Sequence, residues 1–143
     1  MHLCPGTVRA VSENERTMRL IDLAVRQALR SQCKFKLGAV LVAGRRVLAG
    51  GPNRKRNSPL VDYRHATFHA EEVVLRRVHN AAGTVMYVAR INAQGASMMA
   101  RPCNRCQREL EAAKVTRVYF TTGAGGVDFL DIPDRSSIPN SIS

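Results

Sequence analysis

Two short stretches of this chain hold side chains that can do chemistry together. One is His69-Ala70-Glu71, and the other is Pro102-Cys103-Asn104-Arg105-Cys106. One imidazole and two thiols make three zinc ligands, which leaves a fourth tetrahedral position open. Closed structural zinc sites use four protein ligands, whereas catalytic ones keep a place for water. Glu71 lies two residues from His69, where a carboxylate can reach that water. A purely structural zinc would need a fourth protein ligand, and His65, one helical turn before His69, is the local candidate. Read alone, Cys103-x-x-Cys106 is equally a redox pair at a helix start.

The elements that must position these residues can be read from spacing. Ser12, Glu13 and Glu15 signal a helix start, and Met18, Ile21, Ala24, Val25, Ala28 and Leu29 recur at helical spacing, so a helix is predicted over about 13–32 after an irregular lead-in. An apolar run at 37–43, a turn at Gly44-Arg45-Arg46 and a return at 47–49 read as a β-hairpin that Gly50-Gly51-Pro52-Asn53 stops. A basic loop over 51–64 leads to a helix from about Thr67 to Asn80, and 84–92 reads as a central strand. Residues 93–101 read as a loop, 103–113 as a helix, 115–122 as a strand and 127–130 as a short last strand returning antiparallel through a Gly-rich turn. Both ligand sets then sit at helix starts, where partial positive charge favours a metal-binding thiolate. Helices between strands imply a parallel portion, and the hairpin adds an antiparallel edge.

The pattern His69-x-Glu71 followed by Pro102-Cys103-x-x-Cys106 resembles that of the zinc-dependent cytidine and deoxycytidylate deaminase superfamily. The likeness spans most of 13–130, including the stretch SMMARPCNRCQRELEAAKVTRVYFTT from Ser97 to Thr122. It implies a three-layer α/β mixed-sheet sandwich of about five strands, with zinc held between two helices by His69, Cys103 and Cys106. It also implies that Glu71 carries protons while cytosine is hydrolysed to uracil and ammonia. Asn53 matches the family's G-x-N position, so the resemblance gives it a contact to sugar or base. The backbone N–H of Ala70 would hold the base carbonyl, and the carbonyl of Arg101 would accept from the amino group. Relatives vary among Ser, Glu, Thr and Pro at the Arg101 position, so the arginine departs from the commoner choices. Subunits are expected to form a homo-oligomer.

Composition narrows the partners. Lys and Arg total 22 against 11 Asp and Glu, a net charge of +11, which favours anionic partners. Arg54, Lys55 and Arg56 follow Asn53 directly, so Arg54 and Arg56 are candidates for a nucleotide phosphate, with plain solvation the competing reading. A dCMP-like nucleotide or a nucleoside is the first-choice substrate. The runner-up is an editor of single-stranded DNA or RNA. The charge supports it, and the scarcity of aromatics opposes it: three Tyr, four Phe and no Trp. A third reading is a non-enzymatic zinc domain that binds nucleic acid. No apolar run approaches the roughly 20 residues that span a bilayer, so no membrane partner is expected. Cys4 and Cys33 have no partner pattern, which points to a reducing, intracellular setting, with Cys33 a small core hydrophobe at a helix end. The 143 residues are read as one domain, with a core over 13–130 and a mobile tail over 131–143.

Overall fold

A computed structural model describes residues 5–55, 67–123 and 125–133. Helix α1 (Pro5–Leu29) leads into strands β1 (Lys36–Ala43) and β2 (Arg46–Pro52). Two short strands follow, β3 (Arg54–Lys55) and β4 (Thr67–Phe68), and then α2 (Ala70–Arg76). The chain continues through β5 (Val85–Ile91), β6 (Ser97–Met98), α3 (Asn104–Ala112), β7 (Arg117–Thr121) and β8 (Val127–Asp131). The main sheet runs β2-β1-β5-β7-β8, with β6 also paired to β5. The β5–β7 pair is parallel and every other ladder is antiparallel, including the last strand against β7. This is the expected mixed α/β sandwich.

Period-two alternation sends the strands' side chains into two cores. Ala39, Leu41, Met86, Val88, Val118 and Phe120 pack with Ala70, Val74 and Leu110 of α2 and α3. Val40, Val42, Tyr87 and Ala89 meet Leu20, Ile21 and Ala24 of α1 on the other face. The three layers are therefore one helix, the sheet, and two helices. The buried stripe of α1 is Leu20, Ile21, Ala24 and Ala28, while Met18 and Leu29 of the predicted stripe are exposed.

Several boundaries differ from those predicted, each for a local reason. The lead-in is helical from Pro5, because proline is tolerated in the first turn, where its missing N–H has no intrahelical partner anyway. β2 continues through Gly50, Gly51 and Pro52 because it is an edge strand, where proline breaks no ladder on its outer side. Helix α2 starts at Ala70 and stops at Arg76, short of Asn80. Beyond it, Asn80 Oδ1 accepts from Ala82 N at 3.0 Å, a local turn that competes with helix. Part of the predicted 93–101 loop forms β6, paired through Arg90↔Met98 and Ile91↔Ser97. It occupies the flank of β5 beyond Val88, the last β5 residue paired to β7. The tail from 134 onward lies outside the described residues.

The seat of α1 depends on one glycine. A Cβ at Gly38 would stand 2.1 Å from Ala24 O and 2.3 Å from Ala28 N, both backbone atoms of α1. Gly38→Ala is therefore expected to push helix and sheet apart and lower stability by about 3 kcal/mol, the upper range for an overpacked core. A urea melt of the variant with an unchanged midpoint would contradict this packing.

Candidate functional site

The two motifs converge on the α2–α3 side of the sheet. His69 is the N-cap residue of α2 and Cys103 that of α3, both with extended backbone. Neither caps its helix with its side chain, so imidazole and thiol are free to turn toward each other. Cys106 stands three residues into α3 and is fully buried. His69 Nδ1 lies 2.9 Å from Cys106 Sγ and 3.8 Å from Cys103 Sγ. The three donor atoms all lie within 4.8 Å of one another. A tetrahedral zinc would hold one nitrogen and two sulfurs about 3.6–3.8 Å apart, given its usual bond lengths. The donor set fits such an ion with little movement.

The electrostatics agree with that fit. Burial, then the Glu71 and Cys103 charges, push the Cys106 thiol far above its ordinary range. A thiolate at this depth is tenable only beside a cation. Glu71, 2% exposed, has its carboxyl pushed up by the same burial, while hydrogen bonding from its own backbone, the His69 charge and the Cys106 thiol pull it down. Its Oε1 is buried without a hydrogen-bond partner among the described residues. An orphaned carboxylate oxygen beside three metal-type donors calls for a further polar group in the same space.

That space is a cavity of about 700 Å³. Its wall includes His69, Glu71 and Cys103, together with Asn53, Ala100 and Arg101. Asn53 is buried and largely committed to the fold. Its Oδ1 accepts from Ser31 Oγ at 2.5 Å and Leu37 N at 3.1 Å, and its Nδ2 donates to Phe35 O at 2.7 Å. One amide N–H remains for anything in the cavity. Ala70 is buried at the first residue of α2, where backbone N–H groups have no intrahelical partner. Arg101 is exposed on the cavity wall; Arg54 is exposed and absent from the described wall. Arg56 and His65 lie outside the described residues.

Some residues gained a role only in three dimensions. Glu72, next to Glu71 in the chain, is 2% exposed and paired with Arg105 Nη2 of α3 at 3.2 Å. Arg77 does more than line a solvated face, since its Nη1 donates to Gly50 O at 2.6 Å and ties α2 to the edge strand. Lys34, Phe35, Arg90 and Met99 line the cavity and had no signal in the sequence. Cys33 is buried beside Asn53 O, as expected for a small core residue.

The family pattern described as the cytidine and deoxycytidylate deaminase zinc-binding region matches residues 11–122, which include every residue of both motifs. The chain belongs to this family and is an enzyme of the zinc-dependent deaminase type, with zinc as its metal and a His/Cys/Cys group positioned to hold it. Among solved structures, its fold is similar to that of a dCMP deaminase from cyanophage S-TIM5, with a TM-score of 0.60 and 22% identity, covering 74% of this chain and 82% of that one. It is also similar to cytidine deaminase from Burkholderia pseudomallei, with a TM-score of 0.62 and 21% identity over 86% and 96% of the two chains. Cytidine deaminase from Mycobacterium tuberculosis aligns with a TM-score of 0.52 at 21% identity, over 85% and 93%. At such identities the likeness is one of fold. No curated protein matches the chain. No described helix is long and apolar enough to cross a membrane.

The Asn53 bonds give a test of how the cavity is held. Asn53→Ala is expected to lower stability by about 2–4 kcal/mol, because it leaves the Leu37 N–H and Phe35 carbonyl without their partner. Chemical denaturation would show this as a lower midpoint at unchanged slope, and an unshifted midpoint would refute the bracing role.

Proposed function

We propose that the chain is a hydrolytic deaminase of a cytosine-containing nucleotide or nucleoside, with a dCMP-like molecule as first choice. The observation that carries this reading is the convergence of the His69, Cys103 and Cys106 donors within 4.8 Å, beside a buried Glu71 oxygen that has no hydrogen-bond partner among the described residues. In this reading His69, Cys103 and Cys106 hold the zinc. The bound ion supplies Lewis acidity that brings the pKa of a water toward about 7.

The residues around it divide the remaining work. Glu71 takes a proton from the attacking water and delivers it to ring N3 as the C4–O bond forms. It then takes the second proton from the new C4 hydroxyl and gives it to the amino group, the C4–N bond breaks as the C4 carbonyl forms, and uracil and ammonia result. One carboxylate serves both transfers because it faces the water and the ring together. The Ala70 N–H at the start of α2 suits the base carbonyl, and the Arg101 carbonyl suits the amino group. The remaining Asn53 N–H is left for sugar or base. Arg54 and Arg56 follow Asn53 closely in the sequence, where an anion contact and plain solvation are the competing readings.

A polynucleotide substrate is the second reading, favoured by the +11 charge. A homo-oligomer, expected from the family resemblance alone, is part of the proposal. Glu71→Gln separates chemistry from metal binding. Turnover should fall by about 10²–10⁴-fold, the range for losing a general acid–base group. Metal analysis of the same preparation should show zinc retained. Undiminished turnover in that variant rules out Glu71 as the proton carrier. A mixture of monomers and a single-stranded oligonucleotide, followed by mass spectrometry, assigns the substrate class: conversion of the oligonucleotide alone would replace the first reading by the second.

A further inference from the structure

The cavity carries more positive charge than the chemistry above uses. Among its described lining residues, Lys34, Arg90 and Arg101 are cationic, and Glu71 is the single carboxylate. Among the described residues, no acidic side chain is paired with any of these three cations.

Arg90 is the best placed of the three. It lies on β5 opposite Leu37 of β1 and Met98 of β6, one residue from the strand's end. It is two and four residues beyond Val88 and Met86, so it continues the face that α2 and α3 cover. That is the carboxyl end of the parallel β5–β7 pair, where open α/β sheets bind ligands. Its guanidinium carbon sits 4.8 Å from the centroid of the Phe35 ring, and Lys34 Nζ sits 5.8 Å from the same centroid. Phe35 is itself fixed at its backbone, because its carbonyl accepts from Asn53 Nδ2. A guanidinium seated over a ring is pre-organised, and its N–H fork stays available for a bidentate anion.

We infer that Arg90, together with Lys34, forms an anion subsite that takes the phosphate of a free nucleoside monophosphate whose base faces Glu71. This rests on the deaminase reading above and sharpens it from nucleotide or nucleoside to nucleotide. It also moves the phosphate contact away from Arg54, which the described cavity wall does not include. A cavity of about 700 Å³ has room for one nucleotide-sized ligand.

The test compares dCMP with deoxycytidine on zinc-loaded wild type, Arg90→Gln, Lys34→Ala and Arg54→Ala. The wild type should prefer dCMP in kcat/KM. Arg90→Gln should reduce that preference by about tenfold or more, as for a lost charge-assisted bond, and Lys34→Ala should reduce it less. Arg54→Ala should leave the ratio within about twofold, since Arg54 is not part of the described cavity wall. If Arg90 only braces Phe35, Arg90→Gln lowers both substrates alike and the ratio stays fixed, which overturns the assignment. Loss of the preference in Arg54→Ala instead also overturns it, as does a selective loss of oligonucleotide conversion in Arg90→Gln. Calorimetry with dUMP and deoxyuridine asks the same question without turnover. Tighter dUMP binding that Arg90→Gln abolishes supports the subsite even if no cytosine monomer is deaminated, so the two readings fail separately. Equal binding of dUMP and deoxyuridine by the wild type overturns the subsite.

Discussion

Two consecutive carboxylates, Glu71 and Glu72, are buried at the start of α2, and the rest of the site is arranged around neutralising them. Both are 2% exposed, so water gives neither much relief. Adjacent residues on a helix point about 100° apart, so one cation cannot serve both. Helix α3 answers from its first turn. Arg105 reaches Glu72 at 3.2 Å, while Cys103 and Cys106 on either side of it complete the donor set next to Glu71. The α2–α3 contact is thus electrostatic as well as apolar. It joins a half-exposed ion pair, worth little by itself, to a metal site whose affinity is needed to hold charge at that depth.

Sheet topology makes that meeting possible. The parallel β5–β7 pair requires a crossover, and α3 is the crossover helix. Its start must therefore lie near the carboxyl end of β5. The antiparallel hairpin β1–β2 delivers the chain to α2 on the same face, with Arg77 bonded to Gly50 O and Gly51 leaving room for Val73 and Arg77. The opposite face is left to α1, whose small residues Ala24 and Ala28 accept the bare backbone at Gly38.

What could be read in the sequence was what is local. The zinc donors, Glu71 and the helix starts that carry them depend on spacings of two to four residues, and the structure puts the donors together. The succession of helices and strands and the mixed character of the sheet also followed from periodicity and turn chemistry, and the Gly-rich turn favoured the antiparallel return seen for β8, whereas the order of strands across the sheet was not legible. What escaped depends on register across long sequence separations. Arg90 enters the cavity because β5 pairs with β1 at Leu37, and no local pattern marks that pairing. Glu72 could not be assigned to solvent or to a helix partner from spacing alone, and α3 brings Arg105 over it. Asn53 was read as a substrate contact by family likeness, yet most of its amide is spent on residues 31–37, a framework role visible only once β1 and the end of β2 lie side by side. Pro52 misled for the opposite reason: it was read as ending the second strand but sits on an edge strand, where its missing N–H does no harm.

The short strand β6 divides responsibility within the cavity. Ser97 Oγ donates to Thr122 O, Thr121 Oγ1 donates to Met98 O, and Ala100 N donates to Thr121 O. These bonds clip the segment carrying Met99, Ala100 and Arg101 onto the end of β7. The metal donors depend on another set, the starts of α2 and α3, where Val73 N bonds His69 O and Gln107 N bonds Cys103 O. The cavity wall carried by this segment and the donor group at the helix starts are thus fastened to the scaffold separately. Changes of length or side chain in the 92–101 hairpin can reshape what the pocket admits while the reactive centre keeps its own supports, so selectivity and reactivity are free to evolve at different rates.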